Sequence, residues 1–130
     1  MKKKSLLIVD DERTILNSLS RELTSAGFEV TTSASGVDAL AGINSRIFDL
    51  VMTDLLMPKV DGFQVLKAAK KKGSQTMVII LTGYGAMESA IDALRLGADD
   101  FLLKPCNTDE LIYRISRLTS KTVNSLILLM

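Results

Sequence analysis

Four strand-like segments of this chain each end in a residue of the kind phosphoryl chemistry needs. The run Leu6-Leu7-Ile8-Val9 ends in Asp10-Asp11, and Leu50-Val51-Met52-Thr53 ends in Asp54. Met77 to Leu81 ends in Thr82, and Phe101-Leu102-Leu103 ends in Lys104-Pro105. In an open parallel α/β sheet every strand points the same way, so such groups gather at the carboxyl edge. Three carboxylates, a hydroxyl and an ammonium then share one shallow site. Acids clustered like this are costly unless a cation is bound among them.

What must position these residues is an alternation of strand-like and helix-like patterns, repeated five times. After the first strand, Ile15, Leu16, Leu19 and Leu23 mark one helical face, and Gly27 supplies the stop. Phe28-Glu29-Val30-Thr31-Thr32 alternates apolar and polar, as a half-exposed strand does. A helix from about Gly36 to Ser45 is expected to turn Val37, Leu40 and Ala41 inward. The third strand is expected from about Phe48 to Thr53, and the third helix from about Gly62 to Lys72, with Phe63, Leu66 and Ala69 inward. The fourth helix offers Met87, Ala90, Ile91 and Leu94 as its apolar face and ends at Gly97. Thr108 or Asp109 can cap a last helix carrying Leu111, Ile112, Ile115 and Leu118.

Each crossover is long enough for a helix, which parallel pairing requires. Strands one, three and four are continuously apolar, as expected where helices cover both faces, whereas the alternating second strand belongs at an edge. The predicted fold is therefore a flavodoxin-like (βα)5 domain: a five-stranded parallel sheet of order 2-1-3-4-5 with helices on both faces. That order sets Asp10 and Asp11 beside Asp54 at the topological switch point.

Composition removes several function classes. The chain has 130 residues, enough for one domain with a proper core and too few for two. It has no histidine, which excludes His-based triads, His general bases and His-ligated zinc or iron. The single cysteine, Cys106, excludes an internal disulfide and a Cys-rich metal site; with no histidine to activate it, it reads as structural filler. A formal net charge of +1 gives no global basic field for nucleic acid. Lys2 to Lys4 and Lys70 to Lys72 read as solvated surface, the second run in the last turn of a helix, where cations suit the dipole. No signal peptide is visible, and the apolar tail Leu126 to Met130 is too short to span a bilayer. A cytoplasmic setting is the default.

The constellation closely resembles the receiver domain of bacterial response regulators, over about residues 5 to 120. The matching residues are Asp10-Asp11, Asp54-Leu55-Leu56-Met57-Pro58, Asp61-Gly62, Thr82-Gly83 and Lys104-Pro105, in order, spacing and predicted strand ends. The resemblance implies that Asp54 is the phosphoacceptor, and a carboxylate can indeed attack phosphorus and form an acyl phosphate. It implies Mg²⁺ bound directly by Asp11, Asp54 and the backbone carbonyl of Leu56, with Asp10 acting through a water. Mg²⁺ prefers oxygen ligands and neutralises both the acids and the incoming phosphoryl group. One of the two acids is expected to cap the first helix as well, and Glu12 to lie in its first turn. Lys104 is expected to pair with phosphoryl oxygens, Thr82 to donate its hydroxyl, Gly83 to leave room, and Phe101 to be the switch aromatic. The Lys104-Pro105 peptide is expected cis. Leu56 and Tyr84 match the positions that flank the path of the hydrolytic water, and neither orients a water well. Slow self-dephosphorylation follows.

The expected donor is a phosphohistidine on a sensor histidine kinase or a phosphotransfer protein, and the expected output surface is helix four, strand five and helix five. Its exposed candidates are Glu88, Asp92, Arg95, Arg114 and Arg117. A homodimer is left open; direct nucleic-acid or membrane contact is not expected. The domain reading is a receiver over 1–120, with 121–130 a tail or the start of a linker to an output domain. Two alternatives are a pseudo-receiver that docks without being phosphorylated and an aspartyl-phosphate phosphotransferase. Enzymes of the haloacid-dehalogenase type carry a second acid two residues after the nucleophile, where this chain has Leu56. A flavin-binding domain shares the strand order, but Asp-Asp-Glu after strand one would repel a flavin phosphate.

Overall fold

In a computed structural model of the chain, every predicted apolar run is a strand and every amphipathic stretch a helix. The structure describes residues 2–120, the side chain of Tyr84 excepted. The order is β1 (Ser5–Val9), α1 (Arg13–Ser25), β2 (Glu29–Ser33), α2 (Gly36–Ser45), β3 (Leu50–Thr53), α3 (Gly62–Lys72) and β4 (Met77–Thr82). A 3₁₀ turn, Tyr84–Ala86, leads to α4 (Met87–Arg95), and β5 (Asp100–Leu103) and α5 (Thr108–Thr119) follow. The five strands are parallel in the order β2-β1-β3-β4-β5. The predicted fold class is the observed one.

Successive residues of a strand face opposite ways, and here both faces are covered. Leu7, Val9, Val51, Val78 and Ile80 are buried with α2, α3 and α4 residues such as Ala39, Leu66 and Ala90. Leu6, Ile8, Met52, Ile79 and Leu81 are buried on the other side, against Leu16, Leu19 and Leu23 of α1 and Leu111 and Ile115 of α5. This double covering explains why β1 and β3 are buried at every position, while Glu29, Thr31 and Thr32 of edge strand β2 are exposed. Gly27 and Gly97 follow α1 and α4 at φ +101° and +112°, the left-handed region where a side chain is disfavoured.

Several local expectations are corrected. In α2 the buried residues are Gly36, Ala39 and Ile43, whereas Val37 is 51% exposed and Ala41 is exposed. That helix is apolar almost all round, so periodicity alone did not choose a face; packing against α3 and its preceding loop did. In α4, Ala90 and Ala93 are buried, and Met87 and Ile91 stay well exposed, because the small residues let the helix lie close to the sheet. The cap of α5 is Asn107, which accepts from the Glu110 amide at 3.2 Å. Thr108 instead donates its hydroxyl to Glu22 of α1 at 2.7 Å. Strand β3 starts at Leu50, because Asp49 turns its carboxylate to the Ser5 amide, 2.7 Å away. Lys70 is not simply solvated: its ammonium donates to Asp99 at 2.7 Å and to the Thr76 carbonyl at 2.8 Å. The predicted tail 121–130 lies outside the described residues.

Candidate phosphoacceptor site

The sheet ladder continues one step past the strands and so sets the height of the acids. The Asp54 amide donates to the Val9 carbonyl at 3.1 Å, the Asp10 amide to Ser33 at 3.2 Å, and the Lys104 amide to Thr82 at 2.8 Å. Register therefore brings side chains from β1, β3, β4 and β5 to one edge, as a parallel sheet must. Asp10 and Asp54 are buried there, and Asp11 is exposed.

Both oxygens of Asp54 are engaged. Oδ1 accepts from the Thr82 hydroxyl at 3.0 Å and from the Leu56 amide at 3.2 Å, and Oδ2 accepts from Lys104 Nζ at 2.8 Å. The same ammonium lies 2.6 Å from Asp10 Oδ2 and 3.6 Å from Glu12 Oε1. Asp10 also accepts from the Glu12 amide at 2.9 Å. Glu12 is the residue before the first turn of α1 rather than within it, and its side chain makes no cap, so of the two acids only Asp10 serves the helix start. Asp61 accepts from the Gln64 amide and Gln64 returns the bond to the Asp61 amide, a reciprocal capping box that opens α3.

Burial pushes the Asp10 carboxyl above the usual carboxylate range, against the downward pull of Lys104 and the Glu12 amide. For Lys104, burial pulls the ammonium down, yet the hydrogen bonds to Asp10 and Asp54 push harder and leave it above its ordinary value. The ammonium is thus held charged between two buried carboxylates. Burial also pushes the Cys106 thiol above its ordinary value.

One carboxylate oxygen from each of Asp10, Asp11 and Asp54 lies within 4.8 Å of the others. An all-oxygen set rich in charge, open to solvent at Asp11, fits a hard cation that keeps several waters, as Mg²⁺ does. No carboxylate stands two residues after Asp54: Leu56 is there, 64% exposed. Beside Lys104, a cleft of about 650 Å³ opens between α1 and the segment after β5, lined by Ile15, Leu19, Pro105 and Cys106 among others.

The family model for the response regulator receiver domain matches residues 6–116. The chain belongs to that family. Similar proteins include the probable transcriptional regulator ycf27 of Cyanophora paradoxa, 40% identical over 122 residues, 94% of this chain and 51% of that protein. The transcriptional regulatory protein TcrA of Mycobacterium tuberculosis is 38% identical over 116 residues, 89% of this chain and 46% of its own length. The chain spans about half the length of these curated relatives. A CheY-like receiver domain protein from Methanospirillum hungatei has a crystal structure that matches at TM-score 0.89 and 31% identity, covering 95% of this chain and 99% of that one. A receiver domain from Clostridium thermocellum matches at TM-score 0.86 and 36% identity, covering 98% and 99%.

This receiver domain brings Asp10, Asp11, Asp54, Thr82 and Lys104 together as the sequence predicted. The Lys104-Pro105 peptide is cis. Phe101 is half-buried and packs against the core beneath α3 and α4. Gly83 borders open space, since a Cβ built there meets nothing within 4 Å. Tyr84 lies in the 3₁₀ turn, and its side chain falls outside the described part of the structure. Glu88, Asp92, Arg95 and Arg117 are exposed, but Arg114 is half-buried, held by Asp100 and by Glu110 at 2.8 Å.

Sequence reasoning missed Thr53, fully buried, whose hydroxyl donates to the Asp54 carbonyl at 2.8 Å. A polar residue closing an apolar strand was the available signal. Gly62, matched in the sequence as part of Asp61-Gly62, has its Cα against the strand end: a Cβ there would fall 2.7 Å from Leu55 Cα. Among the described residues no helix is long and apolar enough to cross a membrane.

Proposed function

We propose that this receiver domain is a phosphorylation-dependent switch that accepts a phosphoryl group on Asp54. The observation that carries this reading is the grip on Asp54: its carboxylate is held by Thr82 and Lys104, within reach of Asp10 and Asp11. The donor is a phosphohistidine of a sensor histidine kinase or phosphotransfer protein, for which the cleft beside Lys104 offers apolar surface. A bond forms between an Asp54 oxygen and phosphorus as the phosphorus–nitrogen bond to the partner's imidazole breaks. Positioning and charge stabilisation suffice for such a transfer.

Asp11, Asp54 and the Leu56 carbonyl would hold Mg²⁺, with Asp10 acting through a water; the ion supplies charge neutralisation for acids and phosphoryl group. Lys104 moves its point charge from the Asp54 carboxylate to phosphoryl oxygens, and Thr82 transfers its hydrogen bond in the same way. Thr82 is drawn inward, Gly83 leaves space, and Phe101 rotates toward the core, which biases a two-state equilibrium of the surface formed by α4, β5 and α5. Leu56 and Tyr84 set the lifetime of the acyl phosphate. The domain is a signalling module over residues 1–120, with 121–130 a tail or the start of a linker to an output domain. A cytoplasmic setting goes with this reading.

Acetyl phosphate with Mg²⁺ tests it directly, since the donor loses its phosphorus–oxygen bond and leaves as acetate. Intact mass should show one added phosphoryl group on the wild-type chain and none on Asp54→Asn. Normal labelling of the Asn variant, mapped to another residue, would refute the assignment.

A further inference from the structure

The loop from Asp54 to α3 is pressed at both ends by glycines from outside it. At its far end Gly62 donates its amide to the Leu55 carbonyl at 3.0 Å, and a Cβ on Gly62 would collide with the Asp54 carbonyl. The second glycine comes from another βα unit. Gly36 opens α2, is buried, and lies against Val60: a Cβ there would fall 2.8 Å from Val60 Cβ and closer still to the Val60 carbonyl oxygen. No side-chain rotation relieves a collision with a backbone carbonyl; the loop or the helix has to move.

The geometry of the loop shows what this seat holds in place. Val60 donates its amide to the Pro58 carbonyl at 2.8 Å, closing a three-residue turn around Lys59 at φ +67°. A non-glycine residue in such a conformation is strained and persists only where its surroundings enforce it. Here the enforcing neighbours are the core, against which Val60 packs, and the α2 terminus. At the loop's near end the Leu56 amide donates to Asp54 Oδ1. The same β2–α2 corner also holds Asp10, whose amide donates to the Ser33 carbonyl. One corner therefore braces the backbones on two sides of the acidic site.

We propose that Gly36 is a positioning residue for Asp54: by seating Val60 with no Cβ between them, it fixes the loop whose Leu56 amide orients the acceptor carboxylate. This rests on Asp54 being the phosphoacceptor. Displacing that loop misaligns the carboxylate for in-line attack, and a shift of about 1 Å can cost tenfold to a hundredfold in rate.

The test compares wild type with Gly36→Ala, Gly42→Ala and Val60→Gly. Gly42 lies in the same helix, and a Cβ there meets nothing within 4 Å, so its variant controls for α2 itself. Acyl-phosphate formation from acetyl phosphate is followed by intact mass, amide exchange over 55–62 is measured without metal, and thermal unfolding shows that each variant is folded at the assay temperature. Gly36→Ala should take up phosphate at least tenfold more slowly and exchange faster over 55–62, while Gly42→Ala matches wild type. A folded Gly36→Ala with wild-type exchange and labelling overturns the proposal, even if its melting temperature has dropped. Should Gly36→Ala not fold, Val60→Gly, which takes the Val60 side chain out of the seat and the core, must show the same two changes; wild-type values there overturn it equally. A wild-type chain that takes no label sinks the phosphoacceptor reading instead, and loop exchange still judges Gly36.

Discussion

The hydroxyl of Thr82 donates to Asp54 at 3.0 Å, so the residue proposed to read the phosphoryl group is already bound to the proposed acceptor. Lys104 stands in the same relation through the other oxygen, at 2.8 Å. Any group added to Asp54 must therefore take over two existing bonds. Under the proposed phosphorylation, that exchange would tie the chemistry to β4 and β5, because Thr82 and Lys104 sit at their ends.

Thr82→Ala and Lys104→Ala should impair the conformational response more than the attack on phosphorus, since neither residue is the nucleophile. Amide exchange over 86–104, measured with and without beryllofluoride as a phosphoryl mimic, reads this out. A full wild-type response in both variants would contradict the switch role.

The metal reading makes a separate demand. Asp11→Asn removes a direct anionic ligand and should weaken Mg²⁺ binding at least tenfold, about 1.4 kcal/mol, and more than Asp10→Asn does. Calorimetric titration decides it; equal affinities for wild type and Asp11→Asn contradict the ligand assignment.

Lys104 predicts a pH dependence whose sign is fixed. Its folded-state value lies above the ordinary 10.5, because the bonds to Asp10 and Asp54 outweigh the burial that pulls it down. Its pairing thus contributes in full below that ordinary value and is lost as pH rises through the folded one. Urea unfolding should show a stability gap between wild type and Lys104→Met that is level from about pH 8 to 10 and narrows beyond. A gap that widens in alkali would show that the ammonium is not what the carboxylates hold.

The proposed role of Leu56 and Tyr84 in the lifetime of the phosphorylated state is open to a direct test. Leu56 is exposed above the site and carries no group to orient a water. Losing one positioning contact typically slows such a step about tenfold or more. Leu56→Asn with Tyr84→Glu should therefore shorten the lifetime. The idea fails if the double variant, still folded and still binding Mg²⁺, loses its phosphoryl group no faster than wild type.

The five βα units, the strand order and the residues that meet at the carboxyl edge are written in the local pattern of the chain. Strands buried on both faces read as unbroken apolar runs, and the period of two or 3.6 residues is a local property of the chain. The starts of α2 and α3 also rest on local bonds, since Ser35 and Asp61 cap the first turn from the residue just before it. Tertiary structure alone decided which face of α2 is inward, that α4 lies on its alanines, that Arg114 is occupied by Asp100, and that Gly36 seats the loop beyond Asp54. Each is a contact between residues distant along the chain, whose existence depends on how closely two finished elements approach. No local pattern encodes that distance; it is set by packing the sheet and its helices against one another at crystal-like density.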